Sequence, residues 1–242
     1  MILSGKKRLD RIRENLSAVK CGRLGLPERE RTETLTIVGF GPTLQATWSD
    51  AQHPVLAVSG AHDFLVERGV IPDYYLEVHP TAKRSSIVKK PHKKTVYLIA
   101  STCHLAVFRA LAKYDVRLWH AYQNDTLLEQ HALRDELDPG TALIGGGTNG
   151  ASRAVAVGRH LGFRRFVAIG VDCCWDGEQK WAGKHSPNGE TPVIKRIGGR
   201  DWTTTRELMA GAMDFLNERR MGAEIEVRGD NFLAAYMQEA VT

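Results

Sequence analysis

The sequence predicts a single α/β domain, Rossmann-like and doubly wound around a mostly parallel sheet, with an N-terminal helical arm. Three observations predict it. Short apolar runs of strand length alternate with helix-periodic segments of about 10 to 15 residues. The residues that follow these runs are turn-forming or polar, such as Gly39-Phe40-Gly41-Pro42 and His79-Pro80. The 242 residues, 43% hydrophobic and 25% charged, suit one globular core.

Taken in order, Leu9, Ile12, Leu16 and Val19 recur at helical spacing and predict an amphipathic arm or covering helix. Arg23 to Thr34, charged and holding Gly25 and Pro27, reads as a linker, so residues 1–33 form the arm and 34–242 the core domain. Leu35 to Val38 is the first strand, and Pro42 suits the first position of the helix that follows. Val55 to Val58 is the second strand; Ala61, Phe64 and Leu65 mark a helix stopped by Gly69. Tyr74 to Val78 and Thr95 to Ala100 are the third and fourth strands. Leu105, Phe108, Leu111 and Ala112 lie on the next helix, and Val116 to Ala121 is the fifth strand. A helix from Ala151 to Leu161 leads to the sixth, Arg165 to Val171. After a long irregular stretch, Thr204-x-x-Glu207 reads as a capping box for a helix through Leu216, and Ala223 to Val227 closes the pattern. Strands joined by such helices form right-handed crossovers in a sheet covered on both faces.

The most informative segment is Gly145-Gly146-Gly147-Thr148-Asn149-Gly150, a Gly-rich loop that opens a helix. Backbone N–H groups exposed at a positive helix end attract an anion, most often a phosphate. Thr148 and Asn149 add donors, while Gly145, Gly146, Gly147 and Gly150 permit close approach and positive φ. The loop has no lysine, and no G-x-x-x-x-G-K-[ST] run exists, which disfavours a Walker-type NTPase. Gly39-x-Gly41-Pro42 lacks the third glycine of G-x-G-x-x-G, which disfavours a redox Rossmann site; a tight turn approaching a nucleotide, with Thr43 as donor, stays open.

In a doubly wound sheet, ligands bind at the carboxyl ends of the strands. The polar residues predicted there include Ser59, Gly60 and His62, then His79, then Asp172. His62, His79, His104 and His185 are candidate proton carriers. His185 stands out within Trp181 to Gly189, a small-residue stretch suited to a lid, and Lys184 would neutralise phosphate there. Asp172 and Asp176 are candidate Mg2+ ligands, without a spacing that fixes a metal site.

Composition narrows the partners. The net charge is +5, concentrated at Lys6, Lys7, Arg8, Arg11 and Arg13 and again at Lys83, Arg84, Lys89, Lys90, His92, Lys93 and Lys94. Neither cluster is interleaved with aromatics, and both read foremost as solvated surfaces, with a polyanionic partner such as DNA as the alternative. Cys21, Cys103, Cys173 and Cys174 lack zinc spacing and read as reduced thiols. No apolar run approaches the roughly 20 residues that span a bilayer, and Met1 to Asp10 lacks an apolar signal region, so a cytoplasmic location is expected.

Five blocks in order are those of Leu35 to Leu44, Ala57 to Leu65, Gly69 to Tyr75, the Gly145 loop and Gly170-Val171-Asp172. Together they resemble the 6-hydroxymethylpterin diphosphokinase MptE-like family. That family includes flagellin-modifying motility accessory factors and is similar in its core to bacterial sialyltransferases. The resemblance implies a transferase using a nucleotide-activated donor, either a nucleotide sugar or ATP with Mg2+, and a hydroxyl-bearing acceptor. By position it implies that Gly39, Gly41, Pro42 and Thr43 line the nucleotide, Ser59 to His62 face base or ribose, and Thr148, Asn149 and Gly150 hold phosphate. The sialyltransferase-like members carry a catalytic histidine shortly before the last long helix; Gly199 to Thr203 has none. The leading expectation is glycosyl transfer, with His185 or His79 as base and Asp172 beside them. MptE-like diphosphoryl transfer is the alternative, and a non-catalytic nucleotide- or nucleic-acid-binding protein is the rival from another class.

Overall fold

The computed structural model describes residues 5–122, 126–177, 182 and 191–240. Lys184 and His185 lie outside them. The chain opens with α1 (Gly5–Ala18) and β1 (Gly22–Arg23), then alternates through β2 (Thr34–Val38), α2 (Leu44–Thr47), β3 (Val55–Val58), α3 (Ala61–Val66) and β4 (Tyr74–Glu77). It continues with β5 (Val96–Ala100), α4 (Leu105–Ala110), β6 (Asp115–Ala121), α5 (Leu127–His131) and β7 (Leu143–Ile144). The last part holds α6 (Gly150–His160), β8 (Arg165–Ile169), the strands β9 (Val193–Ile197) and β10 (Arg200–Thr204), α7 (Arg206–Arg220), β11 (Glu224–Val227) and α8 (Phe232–Glu239).

Among the described residues, nine strands form one sheet in the order β1-β6-β5-β4-β3-β2-β8-β11, with β7 also on β6. Every pairing in it is parallel. The chain winds outward from β2 to β6, then crosses back to place β8 beside β2. The winding therefore reverses between β2 and β8, which is the topological switch point of the fold. All of β3, and β2 and β5 beyond their first residues, are buried, as a sheet covered on both faces requires. Leu44, Ala61 and Leu65 cover one face through Val38, Val55 and Ala57. The larger core holds Tyr75, Tyr97, Trp119, Phe166 and Phe215 together with residues of α4, α6, α7 and α8.

The N-terminal arm is docked. Arg8, Ile12 and Asn15 are its buried residues. Arg8 Nη2 donates to the Ala121 carbonyl, and Asn15 Nδ2 donates to those of Ser101 and Cys103, each at 2.8 Å. The helix thus satisfies carbonyls that β5 and β6 leave open at their carboxyl ends.

Some expectations are corrected. The helix after β2 begins at Leu44, after a turn that includes Pro42. The cap of α7 is Thr205, whose hydroxyl accepts from Leu208 N at 3.1 Å, while Thr204 is buried and donates to the Cys173 carbonyl. The stretch read as irregular holds the antiparallel β9–β10 hairpin, and α8 had no counterpart in the periodicity reading. Among the described residues, no helix is long and apolar enough to cross a membrane.

Candidate functional site at the strand ends

At the switch point, backbone meets backbone. Gly41 N donates to the Gly170 carbonyl at 2.7 Å, and a side chain at Gly39 would overlap that same carbonyl. Glycine here lets the two loops close on each other. Asp172 completes the closure: one carboxylate oxygen accepts from Thr43 N at 2.7 Å, and the other from the Thr43 hydroxyl and from Asn231 Nδ2 at 3.1 Å. Asp172 is 3% exposed, and burial raises its pKa while the Thr43 and Asn231 hydrogen bonds oppose the rise. With both oxygens hydrogen-bonded, this carboxylate is a latch between β2, β8 and the start of α8.

One step along, the ends of β3 and β4 carry a buried ion pair. Glu77 accepts from Tyr75 Oη at 3.0 Å, Val78 N at 3.0 Å, His79 N at 2.9 Å and Arg84 Nε at 2.9 Å. Arg84 also donates to Ser59 Oγ at 2.9 Å, and Ser59 sits in the left-handed region at φ 59°. A non-glycine residue held there by a buried charge is a strained position of the kind found at binding sites. His79 follows directly. Its ring is half-buried, with Nδ1 3.0 Å from Thr81 Oγ1, and burial, then Arg84, lowers its pKa. It is therefore neutral near pH 7, as a general base must be.

His62 is elsewhere than expected. The ring is fully buried, with Nδ1 2.8 Å from Asp63 Oδ1 and Nε2 3.2 Å from Tyr97 Oη, and it packs edge-on against Tyr75. Both nitrogens are used inside the core, so the ring braces the β3 turn rather than facing a base or ribose.

The Gly-rich loop follows β7 and opens α6. Asn149 caps the helix, its carbonyl oxygen accepting from Ala151 N and Ser152 N at 3.0 Å each, so that part of its side chain serves the helix. Gly147, at φ 78°, lies where a side chain would overlap the Arg153 backbone. Gly150 packs on Val58, and a Cβ there would sit 2.8 Å from Val58 Cγ1. The helix start therefore abuts the ends of β3 and β4. An anion does occupy this cradle, and it is the chain's own: Asp214 of α7 accepts from Thr148 N and from Ser152 Oγ at 3.0 Å. Arg153, 8% exposed, donates to the Tyr122 and Ile144 carbonyls at 3.2 Å each; burial brings its pKa down to about 10.

The fold thus gathers Ser59, Gly60, His79 and Gly150 at the ends of β3 and β4, and places Asp172, Thr43, Gly39 and Gly41 at the neighbouring latch. Ala182 ties its part of the chain to the first glycine loop. Its N–H donates to the Phe40 carbonyl at 3.0 Å, and its own carbonyl accepts from Gln45, which pins the chain two residues before Lys184 onto the first glycine loop. Sequence reasoning missed Glu77 and Asp214 and read Arg84 as part of a solvated surface, because a lone charged residue in a strand, turn or helix carries no local signal of its partner. Cys173 and Cys174 are buried and their thiols are pushed up by burial, Cys174 to about 11, which fits inert reduced cysteines. Among the described residues no group of three or more His, Cys, Asp or Glu is placed to hold a metal.

Comparison with known proteins adds two findings. A family model described as 6-hydroxymethylpterin diphosphokinase MptE-like matches residues 8–178. A MAf glycosyltransferase from Magnetospirillum magneticum AMB-1 shares the fold, with a TM-score of 0.62 at 13% identity. That match covers 97% of this chain and 41% of the other, so this chain spans less than half of its neighbour's length. No curated protein matches the sequence.

Proposed function

Because the chain belongs to the 6-hydroxymethylpterin diphosphokinase MptE-like family, we propose that it is a nucleotide-dependent transferase whose reacting groups meet at the carboxyl ends of β3 and β4. The observation that carries this reading is His79, half-buried, depressed in pKa and fixed by its own N–H to Glu77, one strand from the strained Ser59 and beside the start of α6. The transfer is glycosyl transfer from a nucleotide-activated sugar to an acceptor hydroxyl. Neutral His79 takes the hydroxyl proton; the acceptor oxygen bonds to the anomeric carbon as the bond from that carbon to the donor phosphate breaks. The phosphate leaves with the bonding pair.

In this reading Gly39, Gly41, Pro42 and Thr43 border the nucleotide, and Ser59 and Gly60 the sugar. The backbone of Gly146, Gly147 and Gly150 with the Thr148 hydroxyl receives the phosphate, where fixed donors stabilise developing charge. Asp214 has to yield Thr148 N–H when phosphate arrives, since two anions do not share one donor set at the helix start. Lys184 and His185 lie outside the described residues; in this reading Lys184 neutralises phosphate and His185 is a second candidate base. Diphosphoryl transfer from ATP with Mg2+ is the second reading, and the family match supports it. In that case the metal would screen phosphate charge.

Thermal shifts with CMP, UDP, GDP and ATP, each with and without Mg2+, separate the readings. Stabilisation by a pyrimidine or guanine nucleotide supports glycosyl transfer; stabilisation by ATP with Mg2+ alone supports the second reading. No shift with any of them overturns nucleotide dependence.

A further inference from the structure

The first basic cluster and the start of the second, about 70 residues apart in sequence, meet in the fold, whereas Lys89 to Lys94 run on toward α3 and the amino end of β5. Arg11 Nη1 of α1 lies 3.4 Å from the Pro80 carbonyl, and Pro80 directly follows His79. Lys7 is one helical turn before Arg11 on the same side, and Lys83 is exposed on the turn Ala82–Ser86. Lys6 adds a further exposed charge. Lys6, Lys7 and Lys83 have no ion-pair partner among the described residues, whereas Arg11 shares Glu14 at 3.2 Å and Arg84 is consumed by Glu77. Buried Arg8 and Asn15 seat α1 on the ends of β5 and β6, so its cations are a fixed part of the rim.

We infer that this rim docks the phosphate backbone of a nucleic acid, which presents the acceptor hydroxyl to His79. The link to His79 rests on the transferase reading; the docking does not. Cations spread over two elements fit successive phosphates of a polymer better than one small anion. A lipid surface fits less well. Among the described residues, the exposed large apolar ones, Leu26, Ile194, Met213 and Met221, lie neither on α1 nor on 79–94, and Ile12 of α1 is buried. A helix that binds a bilayer face turns its apolar side outward. Contacts of this kind position a strand without reading its bases, so binding is independent of sequence.

The test uses the full chain and fluorescein-labelled DNA oligonucleotides, single-stranded and duplex, read by anisotropy from low to moderate salt. With about three phosphates contacted, log K should fall with log salt at a slope of roughly −2 to −3. Lys7→Glu/Arg11→Glu/Lys83→Glu should weaken binding at least tenfold at low salt and flatten that slope. Lys93→Glu/Lys94→Glu, before the amino end of β5, should weaken it far less. Should the triple variant melt early, Lys7→Gln/Lys83→Gln takes its place, with a flatter slope expected. Salt-insensitive binding, equal losses in rim and control variants, or binding to phosphatidylserine vesicles but not to DNA would overturn the inference. DNA binding without any nucleotide shift would leave the rim standing and remove the transferase reading; nucleotide shifts without DNA binding would do the reverse.

Discussion

Replacing Glu77 by Gln tests the ion pair on which the site is hung. The carboxylate is 2% exposed and its Arg84 partner 15%. In the variant, the amide oxygen can still accept from Val78 N and His79 N, but the amide nitrogen replaces an acceptor for Arg84 and for the Tyr75 hydroxyl with a donor. A buried guanidinium is then left without its anion. Removing one partner of a buried pair costs about 3–5 kcal/mol. The lower end, about 3 kcal/mol, applies here because two of the hydrogen bonds survive. Against a total stability of about 5–15 kcal/mol this is a large fraction. For a chain of this size it lowers the melting temperature by roughly 6–12 °C. Urea unfolding should show a lower midpoint with an unchanged slope. Arg84→Met in the Glu77→Gln background should recover part of the loss, because the uncompensated charge is gone. A Glu77→Gln protein within about 1 kcal/mol of the parent would refute the reasoning, as would a double variant no better than the sum of the singles.

Three further outcomes are expected. Burial and Arg84 lower the His79 pKa, so the acid limb of the rate profile should fall below the ordinary histidine value of 6.5, and His79→Ala should cut turnover by about 10²–10⁴; a limb at or above 6.5 counts against His79. Gly147→Ala meets both a φ of 78° and the Arg153 backbone, so its urea midpoint should report a loss of about 2 kcal/mol or more; a neutral result would mean that the loop relaxes freely. Burial, against the opposing pull of Asp138, lowers the His120 pKa from 6.5 to about 4. The unfolded chain then gains a proton below about 6.5 that the native state refuses until about 4, so the contribution is full above 6.5 and is lost as pH falls through that window. Urea midpoints at pH 7.5, 6 and 5 should drop accordingly and drop less in His120→Gln; equal drops would assign the acid sensitivity to other groups.

Much of the fold was legible because its signals are local. Apolar runs such as Val55 to Val58 and helix-periodic segments such as Ala151 to Leu161 reflect backbone geometry that each segment sets by itself. The predicted strand ends accordingly fell where Gly39, Ser59, His79 and Asp172 stand. β1 and β7 escaped notice because two-residue strands exist only through pairing with β6. The β9–β10 hairpin escaped because its exposed, charged residues lack strict alternation.

For the site, the sequence by itself marked which residues stand at the carboxyl ends of the strands, and it read the start of α6 as an anion cradle. Tertiary structure decided what fills those places. Asp214 comes from 66 residues away to take Thr148 N–H, Asp172 spans 129 residues to Thr43, and Arg11 reaches Pro80 across 69. Periodicity and turn chemistry specify a local conformation, whereas the partner of a charged group is whatever the completed fold brings within hydrogen-bond distance. The Gly-rich loop was therefore readable as an anion cradle, and only the folded chain shows that a carboxylate already sits in it.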